Sequence, residues 1–270
     1  MNGLNLIGPK DNTSSKCWQV LLPLQHGWPG SIVSHSAQIF DRPLCFWGFG
    51  HDNISIANRC RQEKHKWLFA DMPYFNRWMG EHTANSCHWR LIPNGIHETT
   101  IGDYPSDRVD SLGIKLKDWR NNGSHILICP SSDTVTRWVD KNLNENSWVK
   151  ETIHNIKQHS DRPIRVRRKP RNGKSSGPMV ESVPLEDDLR NCWAVVTSCS
   201  IVGAQAAIAG IPVFCHAFSP AAAIGNFDLA DIEKPRMPER QAWLNTLSYR
   251  QFTKAELGNG FAKEILHQLL

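Results

Sequence analysis

Apolar residues along the chain gather into short unbroken runs rather than alternating with polar ones. Leu44 to Trp47, Trp67 to Ala70, Ile126 to Cys129, Trp193 to Val196 and Ile211 to Cys215 are the clearest. Runs of this length, bounded by Gly, Pro, Asn or Ser, predict strands covered on both faces, as in a parallel sheet. The first run enters Gly48 and Gly50, whose backbone freedom suits a tight strand-to-helix turn. ISIANRCRQEKHK then reads as a short helix and WLFADMPYF as a second strand ending at Asp71. This β-turn-α-β order predicts a parallel sheet. Residues 80 to 120 alternate weakly and are broken by Pro93, Gly95, Gly102, Pro105 and Gly113, so strands and irregular loops are expected there.

The pattern restarts after Asn121-Asn122-Gly123, a turn signal that places a domain boundary near Lys117 to Gly123. A buried strand at His125 to Cys129 precedes a helix over Val135 to Gln158, interrupted around Asn142 to Asn146, and a strand at Pro163 to Arg167. RKPRNGKSSGPMVES is a Gly-, Pro- and Ser-rich basic loop, and PLEDDLRNC a helix with acidic residues in its first turn, where they complement the dipole. The stretch VVTSCSIVGAQAAIAGIPVFC then reads as strand, a small-residue helix of about ten residues ended by Gly210, and strand. Near the C-terminus Thr253 and Glu256 have capping-box spacing for a final helix. The expected organisation is an N-terminal α/β domain over 1–120, a second over 121–245, and a C-terminal helix over 246–270 that returns to the first. No solenoid-period repeat is visible.

Composition narrows the class. With 40% hydrophobic and 21% charged residues the 270-residue chain is an ordinary globular protein. It has no basic segment leading into a long apolar core at its start and no 18-residue apolar run, so no membrane span and a cytoplasmic location are expected. Eight cysteines are scattered without CxxC or a compact Cys/His cluster, which favours reduced thiols over disulfides or zinc. The net charge of +5 suits an anionic partner without requiring one. Its distribution is more informative, since residues 157–174 are dense in Lys and Arg and contain a single Asp.

Ser198 and Ser200 fall where a strand gives way to a helix, at the carboxyl end of the sheet where α/β proteins collect ligands. Unpaired N–H groups, hydroxyls and the helix dipole make such a turn a phosphate site. Taken alone, helix capping is the simpler account of either serine. One strand earlier, Arg165, Arg167, Arg168 and Lys169 leave a strand end, and two converging anion sites suggest a diphosphate. The alternative for this run is a solvated face or a nonspecific nucleic-acid patch.

The order strand, Arg-x-Lys-Pro loop, acidic helix and Thr-Ser-x-Ser-x-x-Gly-x-Gln-Ala-x-x-x-Gly-Ile-Pro resembles the donor-binding half of GT-B glycosyltransferases and related polymer-forming transferases. It looks especially like compact glycosyltransferase-like proteins of bacteriophages. The matching residues are Arg167, Lys169, Pro170, Thr197, Ser198, Ser200, Gly203, Gln205, Ala206, Gly210, Ile211 and Pro212, within a resemblance covering 122–245. It implies two Rossmann-like domains facing a cleft, a nucleotide-sugar donor (a UDP-sugar first), no catalytic metal, and host cytoplasm as the location if the protein is phage-encoded. The family commonly has Glu where this chain has Gln205, which still donates and accepts hydrogen bonds but carries no charge.

Within that reading Arg167 and Lys169 stabilise charge developing on the diphosphate, and Thr197, Ser198, Ser200, Gly203 and Gln205 hold the donor. Asp71, at a predicted strand end, is the candidate base toward the acceptor hydroxyl; a cap or turn residue before Pro73 is the equal alternative. His51 and Asp52 stand in reserve, and Tyr74, Arg90 and His97 are placed on the acceptor side. Arg90 reads equally as a surface ion pair, and Glu233 and Arg240 more simply as salt-bridge partners than as cleft residues. Seven of the eleven tryptophans fall in the first 120 residues, most of them expected in the core. The expected acceptor is a hydroxymethylated base in double-stranded phage-type DNA, with a surface glycan as runner-up. The rival from another class is a non-catalytic nucleic-acid-binding protein on a Rossmann-like scaffold.

Overall fold

The computed structural model describes residues 3–10, 16–35, 41–50, 53–77, 85–169 and 184–270. In chain order the first half holds β1 (Asn5–Ile7), α1 (Trp18–Gly27), β2 (Ile32–Ser34), β3 (Leu44–Trp47), α2 (Asn53–Gln62), β4 (Trp67–Asp71), β5 (His88–Pro93) and α3 (Asp107–Ser111). There follow β6 (His125–Ile128), α4 (Asp133–Val139), α5 (Glu145–Ile156), β7 (Ile164–Val166), α6 (Leu185–Asp188), β8 (Cys192–Thr197), α7 (Val202–Ile208) and β9 (Val213–Cys215). The chain closes with α8 (Gln241–Ser248), β10 (Gln251–Thr253), α9 (Lys254–Gly258) and α10 (Phe261–Leu266). Two compact units result: Met1–Glu98 with Tyr104–Leu112 and Leu244–Leu270, and Thr99–Asp103 with Gly113–Trp243.

The first unit is built on a six-stranded sheet in the order β10-β5-β4-β3-β1-β2. Its strands β2, β1, β3 and β4 run parallel. The purely parallel expectation fails at the other edge, where β5 is antiparallel to β4 and β10 antiparallel to β5. The central strands are the unbroken apolar runs of the sequence, and Leu44, Phe46, Leu68 and Ala70 are fully buried. The elements at 5–7, 18–27 and 32–34 carry no clear sequence signal: α1 has Pro23 inside it, and β2 is a half-exposed edge strand. The core joins α1 to the chain's end, with Leu21, Leu24 and Trp28 packed in one cluster with Leu257, Ala262 and Leu266.

The second unit is a four-stranded, all-parallel sheet in the order β7-β6-β8-β9. Ile126, Ile128, Ala194, Val196 and Phe214 form its core with Val149 and Ile156 of α5. Two expectations are corrected in detail. The helix after β8 has seven residues, not ten, and β7 does not neighbour β8, because β6 lies between them. The interruption expected around Asn142 to Asn146 separates α4 from α5, and α5 is opened by a capping box in which Asn144 accepts from Ser147 N at 3.0 Å. Gly210 ends α7 in the left-handed region (φ +78°), with the carbonyl of Asp118 so close that a Cβ would lie 2.0 Å from it. Only glycine satisfies both conditions there.

All eight cysteines are free and buried. Among the described residues no helix is long and apolar enough to cross a membrane, and no group of three or more His, Cys, Asp or Glu is placed to hold a metal ion.

Candidate functional site

In the second unit the carboxyl ends of β6, β8 and β9 carry linked turns. The Thr197 hydroxyl donates to Cys129 O (2.6 Å) and accepts from Ser200 N (3.2 Å). The Ser198 hydroxyl donates to Ser131 Oγ (2.8 Å), which also accepts from Cys199 N (3.0 Å). His216 N donates to Ser198 O (3.1 Å), tying the end of β9 to the β8 turn. Each strand end thus positions the next through hydroxyl and backbone groups, all neutral.

These bonds change the role expected of the serine turn. The N–H groups of Ser200, Val202 and Gly203 already have acceptors within the turn and that of Cys199 has Ser131 Oγ, so they do not form an open phosphate cradle. Thr197 and Ser198 are buried. Gly203 is buried where an added Cβ would meet Thr197 Cγ2 at 3.3 Å and Ala221 Cβ at 3.5 Å, so its smallness serves helix packing. Ser200 and Gln205 are half-buried on the same turn and helix.

Beside this turn lies a pocket of about 390 Å³ lined by Thr136, Val139, Lys141, Leu143, Trp148, Ser198 and His216, among others. An apolar lining with a few polar groups is the make-up of a small-molecule site, and the volume is within the range such sites occupy. Ser131 and His216 were missed by the sequence reading, though each had a signal. ICPSSDT repeats the strand-Ser-helix pattern of the later turn, and His216 directly follows a predicted strand, where ligands of α/β sheets gather.

The cations leaving β7 are less available than their sequence suggests. Arg167 pairs with Asp188 at 2.5 Å, and Arg168 with the buried Glu145. Arg162 pairs with Glu233 at 2.9 Å and lies over the Trp193 ring. Lys169 is exposed. Pro170 and the remainder of the basic loop to Lys174 lie outside the described residues, as do His51 and Asp52. Arg240 is buried, lies over the Trp119 ring and donates to the carbonyls of Ala207 and Lys117, a packing role rather than a site.

In the first unit the structure brings Asp71, Tyr74, Arg90 and His97 together. Asp71 at the end of β4 is the register partner of Arg90 on β5. Its Oδ2 accepts from Arg90 Nη2 (3.1 Å) and its Oδ1 from Met72 N (2.7 Å), while its side chain keeps 34% of its exposure. Arg90 is buried, with Nη1 2.6 Å from His97 Nδ1 and the guanidinium over the Tyr74 ring. A guanidinium only donates, so Nδ1 accepts and the His97 proton sits on Nε2. Burial pushes the Tyr74 phenol up to about 12, against the pull of Arg90, and its oxygen accepts from Glu98 N (3.0 Å). The arrangement presents one partly open carboxylate on a rigid, charge-balanced base.

No family model matches the chain. A 57-residue stretch is 37% identical to mannose-6-phosphate isomerase of Macaca fascicularis, and a 76-residue stretch 32% identical to that of Bos taurus. These matches cover 21% and 28% of this chain and only 13% and 18% of the relatives' lengths. Among solved structures the chain is similar to KpsC of Thermosulfurimonas dismutans, a beta Kdo 2,4 transferase. The TM-score is 0.53 over 93% of this chain and 92% of that one, at 11% identity. The two chains share a mixed α/β fold with parallel sheets along almost their whole lengths.

Proposed function

We propose that the chain is a glycosyltransferase of GT-B type, moving a sugar from a nucleotide-sugar donor to a hydroxyl acceptor. The observation that carries the reading is the pocket at the carboxyl edge of the all-parallel sheet, bounded by Ser198 and His216. The donor nucleotide occupies it, with a UDP-sugar the first to offer. Arg167 and Lys169 stabilise charge on the departing diphosphate without a metal, Arg167 exchanging Asp188 for the donor. On the acceptor side Asp71 takes the acceptor proton.

For the acceptor, a glycan hydroxyl is the first choice. Arg162, Arg167 and Arg168 each have a carboxylate partner, which takes three of the six described cations of the basic run away from the phosphates of a duplex. A hydroxymethylated DNA base is the second choice, supported by the net charge of +5.

The test is a thermal-shift titration with UDP, GDP, CDP, ADP and their sugar conjugates, followed by transfer assays on glycan and hydroxymethylated-DNA acceptors. One nucleotide is expected to raise the melting temperature saturably, because only the folded state binds it. Asp71→Asn is expected to lower turnover about 100-fold or more while leaving that shift in place. No shift with any nucleotide in a cooperatively melting protein, with salt-steep DNA binding instead, would replace the transferase by a nucleic-acid-binding protein.

A further inference from the structure

The ring of His216 is fixed although it lies at the surface. Phe218 N donates to its Nδ1 at 3.3 Å, and its face lies against Phe218 with centroids 5.0 Å apart. Phe218 in turn packs on Trp138 of α4, at 5.2 Å. The backbone N–H of His216 donates to the Ser198 carbonyl at 3.1 Å, which holds the residue beside the serine turn. With Nδ1 accepting, the ring proton is on Nε2. Among the described residues Nε2 has no hydrogen-bond partner, and the residue lines the pocket beside Ser198.

Resting on the transferase reading above, we propose that His216 is the residue of the donor site that recognises the phosphate next to the nucleoside, by donating its Nε2–H to a phosphate oxygen. The pocket is divided to suit this. Val139, Leu143 and Trp148 supply apolar surface for a base, while His216 and Lys141 supply donors and the Ser198 hydroxyl, which donates to Ser131, can accept. Asp140, also on the lining, accepts from Asn142 N at 2.9 Å and closes its own turn. Burial also holds the imidazole below its ordinary pKa of 6.5, which keeps it a neutral donor at neutral pH. Hydrogen bonds to charged groups are the stronger class, so removing this one costs about tenfold or more in affinity.

The experiment is calorimetric titration of the full chain, as wild type, His216→Ala and His216→Gln. The probes are each nucleoside monophosphate and diphosphate and, for whichever binds, the matching nucleoside. His216→Ala is expected to weaken the nucleotide about tenfold or more and the nucleoside less than twofold. His216→Gln, which keeps an N–H at similar reach, is expected to recover most of the loss. Equal weakening of nucleoside and nucleotide, or unchanged nucleotide affinity in His216→Ala, would overturn the assignment while leaving the transferase reading intact. Failure of the wild type to bind any nucleotide would overturn both.

Discussion

The two units hold the groups around their candidate sites with different chemistry, although the second also pairs charges elsewhere, Arg168 with the buried Glu145 and Arg167 with Asp188. The first uses full charges: Asp71 with Arg90, Glu98 with Arg250 at 2.5 Å, and Arg108 with Glu256. The second fixes its strand ends with hydroxyls and backbone groups: Thr197 on Cys129 O, Ser198 on Ser131, His216 N on Ser198 O. Buried charges must be paired internally or they cost several kcal/mol, so a charge-locked site is complete as it stands. A neutral lattice carries no such demand. It can leave a pocket open beside it and let a ligand bring the charge.

The sharpest way to break this contrast is Arg250→Ala. Arg250 is buried, donates to Glu98 and to the Tyr104 hydroxyl (3.0 Å), and its loss takes the neighbouring cation from a buried carboxylate. The expected loss is about 3–5 kcal/mol of stability by urea unfolding. A loss below about 1 kcal/mol would mean that the first unit does not depend on its charges. Next in size is Gly210→Ala in the second unit, where a left-handed φ and the Asp118 carbonyl combine. A loss of about 2–4 kcal/mol is expected from the strained backbone and overpacking together. The smallest effect is that of Thr197→Val, which keeps the shape and removes the hydroxyl between Cys129 O and Ser200 N. It should cost about 1–2 kcal/mol with Thr197→Ser close to wild type, both insensitive to salt because no charge is involved. A salt-dependent loss would blur the distinction between the units.

The final segment shows how much of this was legible. The capping box at Thr253 and Glu256 could be read from its spacing and is present, Thr253 Oγ1 accepting from Glu256 N at 3.3 Å and Glu256 accepting from Thr253 N at 2.8 Å. That Glu256 also pairs with Arg108, 148 positions earlier, could not be read. The Arg108 guanidinium and Thr253, working against burial, hold the Glu256 carboxyl below its ordinary value of 4.5. Likewise β10 is three residues long, too short for any periodicity, and exists because β5 offers it an edge.

The sequence alone determined the strands covered on both faces, because a strand buried between helix layers needs apolar residues at every position and therefore writes itself as an unbroken run. It also determined the turns after them, where Gly210, Ser198 and Asp71 answer to local backbone geometry. Tertiary structure decided what those residues meet. It put β6 between β7 and β8, gave Arg167 to Asp188, supplied acceptors to the serine turn's N–H groups, and gathered Asp71, Tyr74 and His97 around the Arg90 guanidinium. Strand order and charge pairing depend on which distant segments fold against one another, and no local pattern of polar and apolar positions encodes that.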